Sequence, residues 1–194
     1  LATDEAEIGR TFLTERGFDD DVRATFGVGY APQSWDALTN HLRSAGFRDD
    51  ELTAAGLVSA GQRGNYDRFR GRLVWPIRDL AGDVVGFGAR RLFPEDQGPK
   101  YLNTPETPLY KKSHVLYGID LARKDISKQQ RAVVVEGYTD VMACHLAGVT
   151  TAIATCGTSF GADHVRVLRR LLLDTDAMSG EVVFTFDGDA AGQR

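Results

Sequence analysis

Two groups of carboxylates stand directly after apolar runs in the C-terminal third of the sequence. Glu136 follows a run of three valines, and Asp140 comes four residues later. If a helix begins between them, Asp140 lies about one turn on and faces the same space as Glu136. Asp187 and Asp189, separated by one glycine, follow a second apolar run, residues 182–186. Acids that leave two parallel strands at the same edge of a sheet would share one site.

The chemistry that such a site supports is metal-dependent. Grouped carboxylates repel one another unless a cation lies among them, and hard oxygen ligands favour Mg²⁺ or Mn²⁺. The absence of His and Cys from both segments argues against zinc. A site of this kind can hold a nucleoside triphosphate and stabilise phosphoryl transfer. The competing interpretation makes Asp187 and Asp189 helix-capping acids and Glu136 an exposed turn residue, and it explains either group alone better than both together.

Strands and helices alternate around these acids. Each predicted strand is a short, nearly continuous apolar run, which is typical of a parallel sheet covered by helices on both faces. The predicted strands are residues 132–135, 151–154 and 181–186, and the predicted helices are residues 138–146 and 162–173.

The N-terminal part is organised differently. Its apolar positions recur at helical spacing and then change to two strands joined at Ala81-Gly82. The predicted helices are 5–16, 19–26, 34–45, 49–56 and 119–125, the strands are Arg72 to Asp79 and Asp83 to Leu92, and Pro94 to Pro108 is predicted as a loop. We therefore predict an α/β chain with a mixed, basic α+β subdomain over residues 1–128 and a parallel-sheet subdomain over residues 129–194.

Composition limits the class of protein. Of the 194 residues, 42% are hydrophobic and 26% are charged, which is typical of globular proteins. The net charge is −4, yet residues 62–128 contain 13 basic and 8 acidic side chains. A local excess of positive charge suits contact with phosphates, although it also suits a solvated surface. No apolar run reaches the roughly 18–20 residues that a membrane span needs, so we expect a cytoplasmic protein.

Several segments resemble a known family. Glu136-Gly137-Tyr138-Thr139-Asp140 and Asp187-Gly188-Asp189-Ala190-Ala191-Gly192 are similar to the Toprim domain of primases, topoisomerases and some nucleases, and the Tyr138 and Asp140 variant points to primases. Residues 8–32, 67–77, 86–90 and 100–107 resemble successive signatures of the catalytic core of bacterial DnaG-type primases. The motifs follow the order of that family and cover nearly the whole chain.

The resemblance implies a set of site residues. Its catalytic acids fall on Glu136, Asp140, Asp187 and Asp189, with Glu136, Asp187 and Asp189 as ligands of Mg²⁺ or Mn²⁺. For Glu136 the resemblance leaves a second role open, that of a general acid or base. Its nucleotide-binding and DNA-binding residues fall on Arg68, Arg70, Arg90, Lys100, Asn103, Lys111 and Tyr138. Arg68 and Arg70 are two residues apart, so on a strand both side chains would project from one face and could meet a phosphate chain together.

The resemblance also implies an activity and partners. It implies DNA-dependent synthesis of short RNA primers from ribonucleoside triphosphates at the replication fork, on a single-stranded DNA template, by a monomer. Family members carry an N-terminal zinc module, a further acidic pair and a C-terminal helical domain that docks on the replicative helicase. None of these lies within the 194 residues, so we expect the chain to be a fragment.

Two other functions remain open at this stage. A Toprim nuclease or topoisomerase would cleave strands without added nucleotides. A nucleotide-sensing module, for guanosine alarmones for example, would bind a triphosphate in the same pocket and form no polymer.

Overall fold

The computed structural model describes residues 1–62, 64–172 and 180–186. The helices in these ranges are α1 (Glu7–Thr14), α2 (Asp20–Thr25), α3 (Ala37–Ser44), α4 (Asp49–Ala54), α5 (Ile119–Gln129), α6 (Tyr138–Leu146) and α7 (Ala162–Leu172). The strands are β1 (Gly29–Ala31), β2 (Val58–Gly61), β3 (Gly64–Asp67), β4 (Arg72–Arg78), β5 (Val84–Arg91), β6 (Tyr101–Asn103), β7 (Leu116–Tyr117), β8 (Arg131–Val135), β9 (Ala152–Thr155) and β10 (Glu181–Phe184). None of the described helices is long and apolar enough to cross a bilayer.

The chain forms two compact units. Unit 1 comprises Leu1–Pro76 and Gly86–Tyr110, and unit 2 comprises Ile77–Val85 and Lys111–Arg194. These units are defined by contacts within the fold, whereas the border between residues 128 and 129 is drawn from sequence pattern. That border stays a prediction.

Unit 1 is built on an antiparallel sheet with the strand order β1-β4-β5-β6. Leu73 and Trp75 are fully buried and alternate with half-buried residues along β4, so one face of this strand lies in the core. Helix α1 packs closely on that face, since a Cβ atom at Gly9 would come within 2.9 Å of Leu73 Cδ2. The predicted hairpin of β4 and β5 is confirmed. Its turn, which belongs to unit 2, is closed by Asp79 Oδ1, which accepts hydrogen bonds from three successive backbone N–H groups.

Three features of unit 1 differ from the sequence prediction. The β2–β3 hairpin is not predicted at all, and β6 lies inside the stretch predicted as a loop. The prediction that Arg68 and Arg70 lie on a strand is wrong, because β3 ends at Asp67, opposite the first residue of β2. One more backbone hydrogen bond, from the Arg68 N–H to the Leu57 carbonyl at 2.9 Å, follows that pair. The chain then turns toward β4 through Gly71, which has a φ of +59°.

Unit 2 contains the predicted parallel sheet. Its strand order is β10-β8-β9-β7, and β8 is parallel to both β10 and β9. The edge strand β7, which the sequence does not predict, runs antiparallel to β9. Helix α5 runs four residues beyond its predicted end at residue 125, and β10 ends two residues before its predicted end at residue 186.

Helices cover both faces of this sheet, as predicted. On one face, Ala132 and Val134 of β8 form a buried cluster with residues of α5 and α7, such as Ile126 and Leu168. Side chains alternate along a strand, so Val133 and Val135 face the opposite side. Helix α6 packs against the sheet there and buries Val141 and Met142 completely.

Gly118, which begins α5, leaves no room for a side chain. Its φ is +81°, and a Cβ atom would lie 2.9 Å from Val141 Cγ1 on α6. Gly118→Ala therefore combines left-handed strain with overpacking, and we expect it to lower the free energy of unfolding by about 2–3 kcal/mol in urea denaturation. Gly148→Ala is the matched control, because Gly148 has a φ of +87° with no atom within 4 Å. Equal losses for the two variants would show that the contact with α6 contributes nothing.

Candidate active site

Glu136 and Asp140 lie at the junction between β8 and α6. Glu136 follows Val135 directly and is exposed, and Asp140 is an exposed residue in the first turn of α6. The residue between strand and helix, Gly137, has an extended φ of −148°, which any residue adopts. A Cβ atom at this position would lie 3.4 Å from Asp140 Oδ2. The carboxylate of Asp140 therefore lies close to Gly137, the residue that follows Glu136.

The second strand end lies next to the first. Phe184 of β10 is opposite Val134 of β8, and the Thr185 N–H donates a hydrogen bond to the Val134 carbonyl at 3.0 Å. Asp187 and Asp189 follow Phe186 in sequence and lie outside the described residues. The proposal that all four acids share one site rests on this parallel pairing and stays a prediction.

The donor set fits a hard divalent cation in part. Glu136 and Asp140 offer carboxylate oxygens, and Mg²⁺ in proteins commonly takes one or two carboxylates and completes its shell with water and substrate phosphates. In the part of the chain that the structure describes, no group of three or more His, Cys, Asp or Glu side chains is placed to hold a metal. A third protein ligand would have to come from outside that part.

Tyr138 occupies a different environment from the two acids. It is 5% exposed, and its ring packs edge-on against Tyr117 with the centroids 4.7 Å apart. The ring thus contributes to the core beneath the first turn of α6. Its predicted nucleotide contact remains a prediction.

Cys144 lies one helical turn beyond Asp140, and the charge of Asp140 affects the pKa of its thiol. Burial, and then the negative charge of Asp140, raise the pKa of the Cys144 thiol. A raised pKa lowers the thiolate fraction and hence the rate of alkylation. Because the other cysteine, Cys156, is fully buried, reaction of the native protein with iodoacetamide at pH 8 reports on Cys144.

We expect Asp140→Asn to speed alkylation of Cys144, since the thiol pKa falls when the neighbouring charge is removed. Mg²⁺ bound near Asp140 should offset the charge of Asp140, and it should therefore speed alkylation of the wild-type protein more than alkylation of Asp140→Asn. The matched control is Asp163→Asn, which neutralises an acid at the start of α7. Rates that are identical in all three proteins, with and without Mg²⁺, would show that neither the charge of Asp140 nor a nearby metal affects Cys144.

Unit 1 carries a basic groove of about 710 Å³. We use the term basic groove for the cavity lined by Gln33, Trp35, Ser59, Tyr66, Arg68, Arg70, Gly71, Arg72, Phe93, Glu95, Asp96, Gln97, Gly98, Pro99 and Leu102. Of the residues predicted to bind nucleotide or DNA, Arg68 and Arg70 line it. A second cavity of about 760 Å³ shares Trp35, Tyr66 and Arg70 with the first.

The two arginines are held by backbone carbonyls and by aromatic rings. Arg68 donates two hydrogen bonds, of 3.1 and 2.9 Å, to the carbonyl of Asn103, and burial lowers its pKa. The guanidinium of Arg70 lies 4.0 Å from the centroid of Trp35 and 5.0 Å from that of Tyr66. Arg70 also donates to the Asp67 carbonyl at 2.7 Å. Both side chains are thus held by contacts within the protein.

The other predicted basic residues are placed separately. The Arg90 guanidinium stacks 4.0 Å from the centroid of Phe12. Lys100 is exposed and directly follows Pro99 of the basic groove, whereas exposed Lys111 belongs to unit 2. The structure therefore brings Arg68, Arg70 and the Asn103 backbone together, while the roles of all these residues remain predictions.

Sequence reasoning missed two residues of this groove. Trp35 fits the helical spacing of Leu38 and Leu42, which predicts burial, yet it precedes α3 and is 62% exposed. Its neighbours Ser34 and Asp36, both polar, were the available signal for a helix start. Arg72 is the first residue of β4, and nothing in the sequence distinguishes it from an exposed cation at the end of a strand.

Two protein families match this chain. A parallel sheet with acids at the carboxyl end of β8 corresponds to the Toprim domain, whose family model matches residues 130–194. Residues 1–123 match the family described as DNA primase catalytic core, N-terminal domain. The chain belongs to the DNA primase catalytic core family.

Individual relatives agree with this assignment. The DNA primase of Streptomyces coelicolor is 69% identical over 190 residues, which is 98% of this chain and 29% of the relative. The RNA polymerase domain of Mycobacterium tuberculosis primase DnaG is 59% identical with a TM-score of 0.95, over 100% of this chain and 63% of that one. A DnaG primase catalytic domain bound to ssDNA is 39% identical with a TM-score of 0.83, over 100% of this chain and 58% of that one. The chain thus spans about a third of the curated relatives that it matches.

Proposed function

We propose that this chain is part of a DNA primase and contributes to metal-dependent synthesis of short RNA primers on single-stranded DNA. The observation that carries the proposal is the placement of Glu136 and Asp140 at the carboxyl end of β8, with β10 and the sequence leading to Asp187 beside it. The family relationship supports the same activity, because the relatives are named DNA primase. It does not favour strand cleavage or nucleotide sensing.

In this proposal the acids hold a divalent cation, Mg²⁺ or Mn²⁺. Glu136, Asp187 and Asp189 are its ligands and Asp140 supports them. When bound, the cation neutralises the triphosphate and polarises the phosphoryl group under attack. Glu136 and Asp140 contribute by standing at fixed positions on a strand end and a helix start, so that the negative charge is concentrated before the nucleotide arrives.

The basic groove is proposed to hold the single-stranded template. Arg68 and Arg70 supply two fixed guanidiniums for phosphates, and exposed Trp35 beside Arg70 offers an apolar surface of the kind that unpaired bases stack on. The related domain bound to ssDNA is consistent with this assignment. Lys100, Asn103, Lys111, Arg90 and Tyr138 complete the proposed contacts to template and nucleotide.

The wider setting is proposed from the family alone. Residues 1–128 would form the template-binding and nucleotide-binding subdomain, and residues 129–194 would belong to the Toprim subdomain. The protein would act in the cytoplasm at the replication fork as a monomer, with a zinc module and a helicase-docking domain supplied by other parts of the full-length protein.

The test is template-dependent polymer formation by the full-length protein. Labelled ribonucleoside triphosphates, single-stranded DNA and Mg²⁺ should yield short RNA, and omission of either DNA or the metal should prevent it. Cleavage of the DNA without nucleotides would instead identify a Toprim nuclease or topoisomerase. Metal-dependent triphosphate binding with no polymer would identify a sensing module.

A further inference from the structure

Arg72 lines the basic groove but is almost completely buried, and its charge is paired within the protein. Its side chain is 4% exposed, and its guanidinium pairs with the carboxylate of Asp96 at 2.5 Å. The same guanidinium donates a hydrogen bond to the Pro99 carbonyl at 2.8 Å. Any influence of Arg72 on nucleic acid therefore has to pass through the residues that it holds.

Those residues belong to the connection between β5 and β6, residues 92–100, which forms one wall of the basic groove. The Gly98 N–H donates to Asp96 Oδ1 at 2.7 Å. The Arg91 guanidinium donates to the carbonyls of Asp96 and Gly98 at 2.7 and 3.1 Å. Two arginines thus fix this connection from the sheet, and we refer to Arg72, Arg91, Asp96 and Gly98 as the loop clamp.

The loop clamp fixes the backbone on both sides of Lys100. The carbonyl before it, that of Pro99, is bonded to Arg72. Its own carbonyl accepts the backbone N–H of Arg91 at 2.9 Å. The Lys100 side chain is exposed while its backbone is held at both peptide carbonyls, which is the arrangement expected of a cation that must be presented at a set position.

Gly98 is required by this packing. A Cβ atom there would lie 2.8 Å from Arg72 Nη2 and 2.9 Å from Asp96 Oδ1. Arg72 Nη2 already donates to Asp96 Oδ2, and Asp96 Oδ1 already accepts the Gly98 N–H, so an added methyl group has to displace side chains of the loop clamp. The chain can therefore be perturbed at this point without any change in its charge.

We propose that Arg72, through Asp96 and Gly98, is a positioning residue that sets Lys100 for contact with a phosphate of the single-stranded template. The inference rests on the proposed function, because it assumes that Lys100 meets nucleic acid. It gives a functional reason for the burial of Arg72. Arg72 is not among the proposed contacts of the basic groove with the template.

The experiment measures binding of a fluorescein-labelled single-stranded oligonucleotide to the full-length protein over a range of NaCl concentrations. Lys100→Ala should weaken binding roughly fivefold at low salt and reduce the magnitude of the salt slope by about 0.7–1, as loss of one phosphate contact requires. Gly98→Ala and Arg72→Lys leave the net charge unchanged. In Arg72→Lys the lysine keeps the positive charge but cannot bond both Asp96 and the Pro99 carbonyl. We expect both to reduce affinity and slope in the same way as Lys100→Ala.

The combined effect of two substitutions on binding separates a positioning role from a general loss of structure. In the Lys100→Ala background, Gly98→Ala should weaken binding by less than about twofold, because coupled residues do not add. Arg43→Lys is the matched control, since it also preserves charge and alters an Arg–Asp pair, with Asp49, that is exposed. It should leave both Kd and slope unchanged.

Three results would overturn the inference. The first is a wild-type Kd and salt slope for Gly98→Ala, the second is an equal loss with and without Lys100, and the third is a Lys100→Ala variant that binds like wild type. If Arg72→Lys does not fold, Gly98→Ala decides. Failure of the proposed function is distinct, because the wild-type protein would then make no RNA.

Discussion

Glu136→Gln in the full-length protein is expected to lower kcat for primer synthesis by about 10²–10³-fold, a loss of the size that follows removal of one preorganised group that stabilises the transition state. The substitution keeps the shape of the side chain and removes the negative charge at the end of β8. The affinity for single-stranded DNA should stay within about twofold, because Glu136 is not one of the proposed template contacts and the basic groove lies in unit 1. Steady-state incorporation of labelled ribonucleotides measures kcat, and fluorescence anisotropy measures the affinity.

Glu181→Gln is the matched control. Glu181 begins β10 in the same unit and forms a half-exposed ion pair with Arg131 at 3.1 Å, so the same chemical change is made away from the strand ends. An exposed pair of this kind contributes little to stability. Primer synthesis by Glu181→Gln should therefore match wild type. Equal activity of the two variants would remove Glu136 from the proposed site.

Asp67→Ala is expected to destabilise the protein by about 3–5 kcal/mol, which is the largest stability effect that we predict. The Asp67 carboxylate is 3% exposed and accepts hydrogen bonds from Leu38 N, Thr39 N and Thr39 Oγ1 at 2.7, 3.0 and 2.6 Å. It thus caps α3 from a strand that is almost thirty residues distant in sequence. Alanine would leave three donors unsatisfied at a helix N-terminus, at about 1–2 kcal/mol each.

The control for that prediction is Asp36→Ala. Asp36 occupies the N-cap position of α3, yet its side chain makes no capping hydrogen bond. Its loss should change the free energy of unfolding by no more than about 0.5 kcal/mol, as for other exposed positions. Urea denaturation of both variants decides the question. A larger loss for Asp36→Ala than for Asp67→Ala would show that α3 is capped locally.

The parallel sheet could be predicted because its determinants are local. The apolar run that becomes β8, the glycine at its end and the helical spacing after Tyr138 all lie within a few residues of one another. A helix that begins after Gly137 places Asp140 in its first turn, so the location of Glu136 and Asp140 at the junction of β8 and α6 could be predicted from the pattern alone. The family resemblance then supplied the chemistry that such a pair performs.

Features that depend on distant partners could not be predicted. The sequence around Asp67 does not show that its carboxylate bonds α3, because the partner donors are supplied by the tertiary fold. The same holds for Arg72, which looks like an edge cation until its partner Asp96 is placed against it. Trp35 was misassigned for a related reason, since helical spacing predicts a buried face but does not show that the helix begins two residues later.

The measurement that tests the central claim most directly is primer synthesis by the full-length protein and by its Asp187→Ala, Asp189→Ala form, on single-stranded DNA with labelled ribonucleotides and Mg²⁺. Circular dichroism would verify that the two proteins are folded alike. We predict that the wild-type protein makes short RNA and that the double variant makes none. Undiminished synthesis by the folded double variant, or a wild-type protein that only cuts DNA or only binds nucleotide, would contradict the assignment of these acids to a primase metal site.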